Sequence, residues 1–354
     1  MSIRHSWQGM GRSVGSILEG TLWPLDWCRS RALSLVAKPL SGLLRDREQR
    51  IQWSLALSVL VSFALVVAYP MLVFTVSPLL LGVPHLVSDV RYLVAKPKLY
   101  RDPRMLLVFA PLLALYVWPT PQVGLGAAFL AALLARGSLL PRATMVMFVG
   151  ALVYLAERDV WSVGLGITHA HNLVAMAMAF GMFAPRLRAA TLPTLIYAAG
   201  SVAILSGSVD ALLLRPSALT TGWAEPGQVV LEYAPDAAQP MVALRLLVWF
   251  VFSQSVHYAI WLRVIPDAAR ERAGLRGFRS SFRALAKDMG LLPLLLAAIA
   301  MGWMATIALR SPEAARAQYL QFAMFHAYLE FAVVALFLTD RAFRAHMRGL
   351  SALH

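Results

Sequence analysis

From residue 51 onward the chain alternates between long apolar runs and short connections that are mostly basic. Ten runs stand out, at about 52–75, 77–95, 105–119, 122–135, 143–156, 161–184, 190–212, 241–263, 289–309 and 317–339, most of them near the roughly 20 residues that a helix needs to cross a bilayer. The pattern predicts an all-α fold, a polytopic integral membrane helical bundle of about ten transmembrane helices, forming one domain over residues 51–340. Runs three to five are short, which predicts helices that tilt differently, extend into their flanks or are partly re-entrant. No internal repeat, low-complexity segment or soluble domain interrupts the series.

Residues 1–50 lack an uninterrupted apolar core and carry Arg4, Arg12, Arg29, Arg31, Lys38, Arg45, Arg47 and Arg50 dispersed along them. They are therefore expected to stay attached and not to be cleaved as a signal peptide. Trp23, Trp27, Leu35 and Leu40 among these basic residues suit short helices on an anionic cytoplasmic surface, broken at Pro24 and Pro39. A solvated basic segment fits the same composition. Residues 341–354 read as a basic cytoplasmic tail.

Of the 354 residues 59% are hydrophobic and only 14% charged, more apolar surface than a soluble domain of this size carries. The formal charge of +14 would suit nucleic acid. However, the basic residues lie between apolar runs, and no compact basic face or base-stacking motif is present, so nucleic acid is not expected as a partner. If the N-terminus is cytoplasmic, the connections carrying Arg91–Arg104, Arg136 and Arg142, Arg186 and Arg188, Arg263–Lys287, and Arg341–Arg348 all lie inside. Outside remain Arg158, Arg215, Arg310 and Arg316, an asymmetry that predicts an even number of spans and both termini in the cytoplasm. The longest outer segment, 215–240, carries Glu225, Glu232 and Asp236 among turn-forming residues and reads as a lid or a plain loop. Asp210 and Arg245 suit an ion pair near the outer ends of two spans. The single cysteine, Cys28, excludes an internal disulfide and a cysteine metal motif.

Ionisable side chains inside apolar runs are costly in hydrocarbon and mark functional sites. Residues 79–96, LLLGVPHLVSDVRYLVAK, place His85 and Asp89 four apart on one helix face. Later runs hold THAHN with His169 and His171, SVHYAIW with His257, and FHAYLE with His326 and Glu330. In this topology all four runs pass from outside to inside. At about 1.5 Å per residue, His85, His169, His171 and His326 share a mid-bilayer depth, with His257 one or two turns nearer the cytoplasmic end.

Neutral imidazoles suit iron, zinc or copper, and a ligand imidazole usually has its second nitrogen held by a carboxylate, carbonyl or water. Asp89, one turn below His85, and Glu330, one turn below His326, are candidates for that role; as direct ligands they would make the site dinuclear. His169 and His171 lie about 200° apart around a helix. Unless that helix is irregular, one is a ligand and the other a packing or substrate contact. A lone membrane histidine is more often a packing residue than a ligand, so the argument rests on five of them in four runs. Tyr92, Tyr154, Tyr258 and Tyr328 read as packing or interfacial residues, although a tyrosine beside a ligand could orient substrate.

The stretch GVPHLVSD, from Gly82 to Asp89, resembles the Brp/Blh family of bacterial and archaeal membrane β-carotene cleavage dioxygenases, whose early-span motif has the form G-[IVL]-P-H-G-x-x-D. Gly82, Pro84, His85 and Asp89 match, whereas Leu86 stands where that motif has its second glycine. Glycine beside a ligand permits close approach of substrate and leucine does not, so the departure bears on the substrate channel before it bears on the metal. The close match covers about eight residues, and this chain has more apolar runs and a longer N-terminal segment than the family. The resemblance implies non-haem Fe(II) held by histidines from several spans, His257 and His326 among the late ligands, O2 as co-substrate and a bacterial or archaeal inner membrane.

The expectation is thus a membrane-embedded iron oxygenase acting on a carotenoid, another isoprenoid or a lipid chain drawn from the bilayer. Its ligands would be His85, one of His169 and His171, His257 and His326, with Asp89 and Glu330 behind them. Two other classes remain open. Paired histidines could hold haem b for electron transfer, which a Soret band would reveal. Alternatively, the histidines and carboxylates could form a proton or metal-ion path in a transporter or membrane assembly subunit, which flux into liposomes or a stable partner would reveal.

Overall fold

A computed structural model of the chain describes residues 20–183, 188–215, 239–270 and 277–352. Helices dominate, and no strand occurs among the described residues. Ten helices correspond to the ten apolar runs: α2 (Arg47–Ala68), α3 (Pro70–Asp89), α4 (Arg104–Ala114), α5 (Pro121–Leu134), α6 (Leu139–Arg158), α7 (Val160–Met178), α8 (Arg188–Leu205), α9 (Pro240–Ala259), α11 (Leu291–Ala308) and α12 (Pro312–Thr339). The first run, however, breaks at Tyr69, so that residues 70–75 open α3, and the seventh ends at Leu205 before a separate turn, Asp210–Leu213. Three more helices flank or link them: α1 (Trp23–Arg45), α10 (Phe278–Met289) and α13 (Arg341–Ala352).

Several starts follow from local chemistry. Pro70, Pro121, Pro240 and Pro312 open α3, α5, α9 and α12, where the missing N–H is no loss. The side chains of Asp46, Asp159 and Ser311 accept from Gln49 N at 2.9 Å, Ser162 N at 2.9 Å and Ala314 N at 3.2 Å, capping α2, α7 and α12.

Seven helical segments are long and apolar enough to cross a membrane: α2, α3 continued to Ala95, α6, α7 continued to Met182, α9 continued to Ala268, α11 and α12. The helices α4, α5 and the described apolar part of α8, Ala190–Leu205, are shorter. Of the three short runs, the fifth extends into both flanks as the 20-residue α6 and takes in Arg142 and Arg158. The candidate lid with Glu225, Glu232 and Asp236 lies outside the described residues.

Residues 23–45 form one continuous helix, so Pro24 and Pro39 do not divide it. Pro24 sits in the first turn, where proline is tolerated. The Asp26 carboxylate accepts from the backbone N–H groups of Phe278 at 2.5 Å and Arg279 at 3.2 Å, and thereby ties α1 to the start of α10.

The core gathers around two helices. The long α12 packs on α3, α5, α7 and α11, while α9 packs on α2, α3, α7 and α8. Small residues let α5 approach α12 closely: Gly124, Ala127, Ala128, Ala131 and Ala132 are buried, and the Tyr328 ring lies where a side chain on Gly124 would be. By contrast α11 has only Met304 buried and turns Leu292, Leu295, Leu296, Ile299 and Trp303 outward. Such a face suits hydrocarbon and is costly in water.

The eighth run continues past Arg263, which sequence patterning took as its end. A π-helical turn, Ile260–Val264, leads into Ile265–Ala268. Asp267 there is 2% exposed and is matched internally, accepting from Arg50 Nε at 2.8 Å and Nη2 at 3.0 Å, and from Arg270. A buried charge met by partners does not mark the edge of a span. His257 is consequently the eighteenth of the 29 residues between Pro240 and Ala268, well inside the helix.

Candidate metal centre

At the meeting point of α3, α7, α9 and α12 four imidazoles close a ring of contacts. Ring centroids are 4.9 Å apart for His85–His326, 5.2 Å for His326–His171, 5.1 Å for His171–His257 and 5.4 Å for His257–His85. All four are buried, His85 and His257 almost completely. One ligand nitrogen from each of His85, His257 and His326 lies within 4.8 Å of the other two.

The local backbone explains how the rings converge. Three residues before His85, Gly82 leaves room for the Tyr319 ring, whose hydroxyl reaches within 3.5 Å of His85 Nδ1. Tyr319 is seven residues before His326, on the same face of α12. The Nδ1 of His326 is bonded to the Ala323 carbonyl, which assigns the proton to Nδ1 and leaves Nε2 as an electron-pair donor. The Ser88 hydroxyl donates to the Trp261 carbonyl at 2.6 Å and joins α3 to the end of α9. In each of α3, α7 and α9, the histidine-bearing stretch is followed by a π-helical turn, at Val90–Ala95, Ala179–Phe183 and Ile260–Val264. Such turns re-aim the chain and recur at functional sites.

Two buried carboxylates stand beside the ring. Asp89 Oδ2 is 3.9 Å from His85 Nε2, and neither Asp89 oxygen has a hydrogen-bond partner among the described residues. Glu330 was expected beside His326, one turn away on its own helix. It instead points across to α9, where Oε1 accepts from Trp261 Nε1 at 2.8 Å and lies 3.7 Å from His257 Nε2. Trp261 is one turn beyond His257, so the two groups that Glu330 meets share one face of α9.

The chemistry of this donor set fits a transition-metal ion. Buried polar atoms are nearly always hydrogen-bonded, yet His85 Nε2, both nitrogens of His257, His171 Nδ1 and Glu330 Oε2 have no such partner among the described residues. A metal about 2.0–2.1 Å from each nitrogen holds tetrahedral ligands roughly 3.4 Å apart. The separations of up to 4.8 Å would therefore contract by up to about 1.4 Å on loading, a change within reach of side-chain rotation.

His169 is not in this cluster. The helix α7 is regular through both histidines, so the two rings point apart, and that of His169 stacks on Trp249 at 4.9 Å and 16°. Tyr258, read from sequence as packing, lies 4.6 Å from the His85 ring. The residues missed in the sequence, Tyr319, Trp261 and Ser88, each had a helical-spacing signal: seven before His326, four after His257 and three after His85. No known family model, curated protein or solved structure matches the chain. The likeness of Gly82–Asp89 to the Brp/Blh dioxygenases accordingly rests on those eight residues.

Proposed function

We propose that the chain is a ten-span protein of a bacterial or archaeal inner membrane, with both termini cytoplasmic, and a non-haem iron oxygenase of the carotenoid-cleaving type. Its substrate is a long apolar chain, an isoprenoid or lipid, that enters from the bilayer. The observation that carries this reading is the closed ring of four buried imidazoles from four helices, with Asp89 and Glu330 at its edge.

When bound, Fe(II) supplies the electrons that let O2 react with an alkene or an activated C–H bond. Everything else falls to the protein. His85, His171, His257 and His326 hold the ion, and Tyr319 and the Ala323 carbonyl fix two of the rings. Asp89, beside the His85 nitrogen that faces the ion, and Glu330, beside His257, balance the charge of the centre. Helix packing excludes bulk water. An apolar groove of about 340 Å³, lined by Val94, Phe109, Leu112, Phe325 and Leu329 among others, lies between α4, α12 and the turn that follows α3 and suits a hydrocarbon chain. Leu86 packs against Met304, Tyr319 and Ala323, filling the space that the dioxygenase motif leaves open at its second glycine.

Haem b fits this packing less well. Edge-to-face contact between neighbours around the ring leaves no slot for a macrocycle between any adjacent two. The test is to load purified protein with Fe(II), supply O2 with carotenoid, isoprenoid and fatty-acyl substrates, and analyse the products. Oxygenated or shortened products, lost in His257→Ala, are expected. Metal-ion flux into liposomes with no product from any substrate would sink the oxygenase reading.

A further inference from the structure

A second cavity lies apart from the imidazole ring, at the charged ends of α3 and α9. It measures about 700 Å³ and is enclosed by those ends, α10 and α11. Its floor is apolar, formed by Pro84 and Val87 of α3 and Leu294, Ala297, Ala298 and Met301 of α11. Its rim is basic: Arg91, Lys96, Arg263, Arg270 and Lys287 face one carboxylate, Asp288.

Among the described residues, the acidic groups nearby are already engaged. Asp288 accepts from Arg91 Nε at 2.8 Å and Nη2 at 2.7 Å, while Arg270 is paired with the buried Asp267. Lys96 donates to the Ala269 carbonyl at 3.4 Å and lies 5.2 Å from the Tyr92 ring centroid. Arg263 and Lys287 are exposed and have neither an ion-pair nor a hydrogen-bond partner among the described residues. Over the groove lies α10, which presents Phe278, Phe282 and Leu285 to it and is held at its N-terminus by Asp26. The result is an apolar floor between two helices, an excess of positive charge where the apolar spans end, and a fixed amphipathic roof. Basic pockets between helices at head-group depth recognise anionic lipids.

We propose that this groove binds one anionic phospholipid of the surrounding leaflet, with its phosphate against Arg263 and Lys287 and its acyl chains between α3 and α11. The proposal is independent of the metal. It is tested by titrating the full chain, in neutral detergent, with tail-labelled phosphatidylglycerol and separately with tail-labelled phosphatidylcholine. Phosphatidylglycerol is expected to bind at least tenfold more tightly. Each of Arg263→Gln and Lys287→Gln should weaken it about fivefold, and the pair about thirtyfold, at low salt. Ala297→Trp, which fills the floor, should weaken both lipids and provides a second variant if the double one fails to fold. Equal affinity for the two lipids, or unchanged phosphatidylglycerol binding in a folded double variant, would overturn the proposal. Full displacement by millimolar inorganic phosphate would also overturn it, because the site would then take a free anion and not a lipid.

Discussion

Gly82→Ala isolates the link between the sequence motif and the histidine cluster. An added Cβ would lie 2.5 Å from Tyr319 Cζ, 2.9 Å from Cδ2 and closer still to Cε2, against the 3.4–4 Å of ordinary contact. The ring must retreat by about an ångström, and it is buried at 2% exposure among Leu86, Met304 and Ala323. Overpacking of this kind costs about 1–3 kcal/mol. It also withdraws the Tyr319 hydroxyl from His85 Nδ1, now 3.5 Å away, so the alanine variant should lose metal affinity as well as stability. Thermal unfolding in detergent and competitive metal titration measure the two effects. Tyr319→Leu removes the obstructing ring, and in the double variant most of the stability loss should return while metal affinity stays low. A Gly82→Ala protein that unfolds and binds metal like the wild type would refute the reasoning. So would stability losses that simply add in the double variant.

Three further outcomes follow from the packing and charge. Arg50→Ala should destabilise by about 1.5–3 kcal/mol in denaturant unfolding, because it takes two charge-assisted hydrogen bonds from buried Asp267 and leaves it with Arg270, whereas an apolar replacement of both Arg50 and Asp267 should be milder. In α5, Gly124→Ala should be destabilising, since its Cβ would sit 2.5 Å from the Tyr328 ring, while Gly126→Ala, with Pro111 at 3.7 Å, should be neutral or stabilising by up to about 1 kcal/mol in the same assay. The Arg104 guanidinium holds the Asp102 carboxyl below its usual range. A depressed carboxylate stabilises above the unfolded pKa of about 3.9 and loses that contribution as pH falls through the lower folded value. Asp102→Asn should therefore cost at most about 1 kcal/mol near neutral pH and nothing in strong acid, as read from unfolding across pH.

Much of the architecture was legible in the sequence because apolar length is a direct statement about the solvent a helix meets. Each of the ten runs has its helix, the first giving up residues 70–75 to the second, and the prolines and capping residues at 70, 121, 159 and 312 stand where helices start. Charge was a poorer guide to boundaries. Arg263 looked like the end of a span, but the internal match of Asp267 to Arg50 lets the helical path continue and brings His257 level with its partners. Helical spacing separated His169 from His171 without saying which faces inward, because that depends on Trp249 on another helix. Glu330 illustrates the same limit: spacing put it below His326, whereas its partners, His257 and Trp261, belong to α9. Contacts between distant segments have no signature along a single chain.

The most direct test of the centre is metal stoichiometry with an absorption spectrum, measured side by side on wild type, His169→Leu and His171→Leu after loading with Fe(II). The geometry predicts close to one iron per chain without a Soret band in the wild type and in His169→Leu, whose ring stacks on Trp249. It predicts weakened or lost iron in His171→Leu, whose ring closes the cluster between His257 and His326. Iron lost equally in both variants, or never bound by the wild type, would contradict a centre built from these four imidazoles.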